Sequence, residues 1–137
     1  MIDQGGTQKT LQKSEWLGAL LAILPGVLSV KEGGSVLLGI SVKAYPILPW
    51  LVWYNVVFGF VAVIVGIGIW KQQQWGMTYA VTVLTLHTFV FMILIVLLVL
   101  KETVAINSII AMLLRTTIWL TIVVLLRRKN KIRTDKE

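Results

Sequence analysis

Three long runs of this chain carry almost no charge, and that leaves it few ways to fold. Ile47–Trp70 has no charged residue, Met77–Leu100 has none and a single histidine near its middle, and Val104–Leu126 has only Arg115. About 20 mostly apolar residues in a helix cross the ~30 Å hydrocarbon core of a bilayer. In that medium every backbone N–H and C=O needs an internal partner, which a helix supplies within one segment. Each run is therefore expected to be a transmembrane helix. A fourth segment, Trp16–Val30, is shorter and contains Pro25. It becomes long enough if it extends back across Lys13 and Glu15, with those side chains snorkelling to the interface.

The expected fold is all-α: an integral membrane four-helix antiparallel bundle, one domain over residues 1–137. Its spans fall at about 12–30, 47–70, 77–100 and 104–126, with flexible tails at 1–10 and 129–137. Composition agrees. The chain is 57% apolar and only 14% charged, with a mean hydropathy of +0.84, where a soluble domain carries about 25% charge. Having no cysteine, it can form no disulfide, thiolate nucleophile or iron–sulfur ligand set. Lys9, Lys13 and a Val27-x-Ser29 pattern also fit a secretory signal. Glu15 in the basic segment and the small-residue spacing that follows favour a retained helix.

Lys and Arg near span ends set orientation. With both termini inside, the inner side holds Lys9, Lys13, Lys71, Arg127, Arg128, Lys129, Lys131, Arg133 and Lys136, and the outer side only Lys31, Lys43 and Lys101. Nine against three places both termini in the cytoplasm. Trp16, Trp70, Trp75 and Tyr79 then fall at the inner interface, and Tyr45, Trp50, Trp53 and Tyr54 near the outer one, where amphipathic rings are favoured. The first outer loop, about Lys31–Pro46, contains Gly33-Gly34 and an apolar stretch, Ser35–Val42, expected to lie in the interface or pair as a short hairpin. The basic tail residues Arg127, Arg128, Lys129, Lys131 and Arg133 are candidates for anionic lipid headgroups, at about 1 kcal/mol each near the surface.

Lipid gives helices little hydrophobic reason to associate, so small residues and interhelical hydrogen bonds must hold them together. Gly18, Ala22 and Gly26 recur every four residues, and Asn55, Gly59, Ala62 and Gly66 share one face of the next helix. Thr78, Thr82 and Thr85 form a comparable stripe on the third, and Ser108, Ala111, Arg115 and Trp119 on the fourth.

Arg115 is the most informative residue. It lies roughly 16 Å from either end of its run at ~1.5 Å per residue, and an arginine there costs at least about 2.5 kcal/mol. Guanidinium stays protonated and the apolar runs offer no Asp or Glu, so its acceptors must be amides, hydroxyls, carbonyls, water, lipid phosphate or a bound anion. Asn55 and His87 fall at similar depth on two other helices, with Tyr54 nearby. Trp119, one turn from Arg115, is placed for a cation–π contact. The group Arg115, Asn55, His87, Tyr54 and Trp119 is the candidate polar cluster or ligand site.

No nucleophile elbow, phosphate loop or metalloprotease motif is present, and one histidine cannot supply the usual metal site. No cofactor or enzymatic activity is expected. Small four-span multidrug exporters are similar in size and span number, but depend on a membrane glutamate that the apolar runs lack. The general look is that of small bacterial inner-membrane proteins. Two functions remain. One is a structural or accessory role through helix contacts, with itself as a homo-oligomer or within a larger membrane complex. The other is a small oligomeric transporter, channel or lipid-binding protein using the cluster around Arg115. Membrane lipids are the expected partners, and nucleic acid is not.

Overall fold

The computed structural model describes residues 4–134, apart from the side chains of residues 4, 5, 7, 8, 10, 11 and 133. It contains four helices: α1 (Gln4–Leu37), α2 (Pro49–Trp70), α3 (Trp75–Val99) and α4 (Ile106–Thr134). All four are long and apolar enough to cross a membrane, over Gln12–Leu37, Pro49–Trp70, Trp75–Val99 and Ile106–Ile132. Phe60, Ile64, Phe89, Leu114 and Leu120 are each more than half exposed. A surface so apolar on every side suits lipid and not water. The chain is a multi-pass membrane protein.

The ends differ from expectation. Helix α1 runs through Gly33-Gly34 to Leu37, and residues 4–10 and 129–134 are helical where tails were expected. Residues 1–3 and 135–137 lie outside the described residues. Ser35–Leu37 finish α1, and the next residues turn at Gly39, whose φ of +70° suits glycine. No strand pairs there among the described residues. Pro25 sits inside α1, which removes one backbone donor. One turn later Ser29 Oγ donates to the Pro25 carbonyl at 2.7 Å.

Helices α2 and α3 end alike. Gln72 and Lys101 take φ of 56° and 60°. The next amide reaches back five residues, Gln73 N–H to Gly68 O and Glu102 N–H to Leu97 O. These bonds satisfy carbonyls the helix leaves open.

Helix contacts close a ring: α1 on α2, α2 on α3, α3 on α4 and α4 on α1, with the α1–α2 pair the most extensive and the α2–α3 pair the least. Residue size explains the ranking. The α1–α2 faces are Gly26, Gly59, Ala62 and Gly66, and a Cβ placed on Gly59 would stand 2.8 Å from the Gly26 carbonyl oxygen. Helix α2 meets α3 through Tyr54 and Phe58, whose rings reach His87 and keep the two backbones apart. The buried face of α3 is Gly76, Ala80, Val83, His87, Val90 and Leu94. Thr78, Thr82 and Thr85 are exposed instead. Thr82 and Thr85 bond to carbonyls of their own helix, four residues back, so they need no neighbour.

Candidate functional site

Ser29, Asn55 and Arg115, from α1, α2 and α4, line two adjoining cavities. The outer one, about 110 Å³, lies where the end of α1, the 43–48 loop and the starts of α2 and α4 meet. Glu32, Lys43, Tyr45, Asn107 and Ser108 complete its polar lining. The inner one, about 20 Å³, is bounded by His87, Phe58 and Trp119. That space suits one water, which needs ~10–15 Å³ and two to four polar partners.

Arg115 lies nine residues into α4. Its Nε and Nη2 both donate to Ser29 Oγ, at 3.3 and 3.1 Å. A guanidinium has five N–H donors, and among the described residues this one hydroxyl is its hydrogen-bond acceptor. Glu32 is within electrostatic reach, and its carboxylate lies 3.8 Å from Lys43 Nζ. An acid therefore does approach Arg115, contrary to the sequence reading, because α1 continues past Val30. Two cations and one carboxylate leave the cavity lining one positive charge in excess.

Asn55 carries the complementary deficit: its Oδ1 is buried and has no hydrogen-bond partner. His87, 3% exposed, has Nδ1 3.0 Å from the Val83 carbonyl oxygen and 3.1 Å from the Tyr54 hydroxyl. A carbonyl only accepts, so Nδ1 bears the proton and donates to Val83, with the Tyr54 oxygen sharing it. Tyr54 stacks on Phe58 at 4.3 Å between centroids, so its ring turns inward and away from the interface. Trp119 is 4% exposed and faces His87 at 6.4 Å. Its ring contact is with His87, and the expected cation–π partner Arg115 is instead directed to Ser29. Tyr54→Phe keeps the stack and removes one shared bond. It should lower stability in detergent by about 1 kcal/mol, measured by chemical unfolding. A loss above twice that would mean Tyr54 holds more than His87.

Of the other candidates, Gly18, Ala22, Gly26, Gly59, Ala62 and Gly66 lie on α1–α2 contact faces. Arg127, Arg128 and Lys131 are exposed at the end of α4, and the Arg133 side chain lies outside the described residues. Lys129 is placed otherwise. Its ammonium pairs with Glu15 of α1, which is 4% exposed and also accepts from Gln72 Nε2 at 2.5 Å. Glu15 does not snorkel. It joins α1, the 71–74 turn and α4, a link that the sequence reading missed, as it missed Ser29, Glu32 and Lys43 beside Arg115.

Compared with known protein families, curated proteins and solved structures, the chain matches none.

Proposed function

We propose that the chain is a small solute- or headgroup-binding membrane protein of the transporter, channel or lipid-binding kind, and that its ligand is an anion held by Arg115. One observation carries this reading. A charge in the middle third of a span has one neutral side-chain acceptor and faces a polar cavity of about 110 Å³. An arginine kept only for helix register would be enclosed by protein acceptors, because each unmet donor in a low-dielectric site is costly. The structural role through helix contacts has its own support in the α1–α2 glycines, but it leaves Arg115 unexplained.

The bundle we propose is antiparallel, with both termini cytoplasmic in a bacterial inner membrane. Contacts of Gly18 with Ile69, Gly26 with Gly59 and Gly33 with Val52 run in opposite senses along α1 and α2, which supports the antiparallel arrangement. The nine-to-three division of basic residues supports the orientation. The cavity then opens toward the outer face. Membrane lipids and further copies of the chain are its proposed partners.

The test is Arg115→Met, melted in neutral detergent with and without added anions. Anions should stabilise the native chain and not the variant. Without them the variant should melt no lower than the native chain, since removing the charge relieves about as much as the lost Ser29 bonds supplied, roughly 2 kcal/mol on each side. A variant that melts much lower, beside a native chain indifferent to anions, would return Arg115 to a purely structural role.

A further inference from the structure

We infer that the ligand of the Arg115 cavity is a singly charged phosphate group that keeps a hydroxyl, either free dihydrogen phosphate or the monoester headgroup of a lipid. The inference rests on the anion-binding reading above and adds which atoms the anion must present. Arg115 and Asn55, both with unmet hydrogen-bonding capacity, line this cavity. The Arg115 guanidinium has donors to spare after Ser29 Oγ, so it needs acceptor oxygens, and two adjacent ones fit its planar fork. Asn55 Oδ1 is a buried acceptor without a donor. The missing partner must therefore accept at Arg115 and donate at Asn55. A fully deprotonated carboxylate, a nitrate or a halide can do the first and not the second.

Charge and size narrow the class. Arg115 and Lys43 against Glu32 leave one positive charge in the lining, which a monoanion balances. The starts of α2 and α4 both border the cavity, and neither has an acid in its first turn, so their positive dipole ends add to the same preference. A volume of about 110 Å³ is several times the ~10–15 Å³ that holds one water, room for one tetrahedral group. Two of its oxygens serve Arg115, the hydroxyl serves Asn55, and the fourth oxygen is left for the Lys43 side or for an ester link. Val36, Ile47 and Leu48 on the same wall offer an apolar exit suited to a lipid chain.

The experiment uses the purified full chain in phosphatidylcholine nanodiscs, titrated calorimetrically in mildly acidic buffer, where inorganic phosphate is a monoanion. Phosphate and nitrate are compared at matched ionic strength. The native chain should bind phosphate about tenfold more tightly, the ratio expected when one buried acceptor is left unmet. Asn55→Leu should bring the two anions level while still binding both, and Arg115→Met should bind neither. In a second arm, discs carry equal fractions of phosphatidic acid, a monoester with a hydroxyl, or phosphatidylmethanol, a diester whose headgroup has none. Melting protected by phosphatidic acid and not by phosphatidylmethanol identifies the lipid as the source. Protection by free phosphate alone identifies the solute. Equal binding of phosphate and nitrate, with phosphatidic acid no better than phosphatidylmethanol, overturns the hydroxyl inference and leaves the anion site standing. No response to any anion overturns both. If Asn55→Leu does not fold, the native phosphate-to-nitrate ratio decides alone.

Discussion

Gly59→Leu is expected to separate α1 from α2 and to remove about 3 kcal/mol of stability, near the top of the ordinary range for overpacking. The geometry gives a large side chain nowhere to turn. A Cβ at Gly59 would meet the Gly26 carbonyl oxygen at 2.8 Å, a Val30 methyl at 2.8 Å and the Val30 amide nitrogen at 3.1 Å. A Cβ at Gly26 would meet the Gly59 oxygen at 2.8 Å in return. Two of these obstacles are backbone, which no rotamer change can move. The helices must part, and lipid supplies no hydrophobic force to hold them near each other once contact is lost. Gly59→Ala meets the same backbone atoms with its Cβ alone and should cost about half as much. Gly34→Leu is the control. A Cβ there has nothing within 4 Å, so no contact is disturbed and the effect should range from neutral to a gain of about 1 kcal/mol from helix propensity. Unfolding by a denaturing detergent, followed by circular dichroism, reads all three. Equal losses at Gly34 and Gly59 would mean that contact with the facing helix does not set the effect, since helix propensity favours leucine over glycine at both positions.

How much of this was legible follows from what each signal measures. Lack of charge over twenty residues reports a span directly, so α2, α3 and α4 were visible as spans. Spacing by three and four reports a shared face, but not which way the face turns. For Gly18, Ala22 and Gly26 the inward choice matches the structure, because glycine and alanine offer lipid little and a neighbouring backbone much. For Thr78, Thr82 and Thr85 it does not, because a threonine hydroxyl can bond its own helix and then face lipid. The inward residues of α3 have the same period and were hidden among ordinary apolar letters.

The end of α1 was misread for a related reason. Gly33-Gly34 beside Lys31 and Glu32 has the composition of a loop. Each glycine costs a helix only ~1 kcal/mol, and the Gly33 face is covered by Val52 and Val56 of α2. That continuation hid half of the site. The shared depth of Asn55, His87 and Arg115 came from counting residues at 1.5 Å rise, and all three do line the inner cavity. Ser29 and Glu32 needed knowledge that α1 runs on. A clue was available: the four-residue spacing of Gly18, Ala22 and Gly26 continues by three and four to Ser29 and Gly33. Lys43 sits in an irregular loop, and no periodicity locates a loop residue.

The second large effect is expected from Glu15→Leu, which should lower stability by about 3 kcal/mol. Removing one partner of a buried ion pair costs about 3–5 kcal/mol, because the other charge stays buried and loses its nearest counter-charge. The lower end applies here. Lys129 keeps 16% of its side chain exposed and lies near the end of its span, so water relieves part of the loss. Gln72 also loses its acceptor, and it is held at a positive φ by the turn that presents it. Lys129→Leu alone strands Glu15, which is the more deeply buried partner, and should cost at least as much. The double variant should recover most of the loss, since replacing both members of such a pair with apolar residues is often close to neutral. The coupling energy from this cycle should then be about 5 kcal/mol, above the usual range for residues in contact, because each single variant leaves a buried charge behind. Losses that simply add would place Lys129 on the lipid surface, as its neighbours Arg127, Arg128 and Lys131 are expected to be. A large coupling would show that one of the tail cations anchors α4 to α1. Vesicle binding should then fall when Arg127, Arg128 and Lys131 are neutralised together, and not when Lys129 and Glu15 are replaced as a pair.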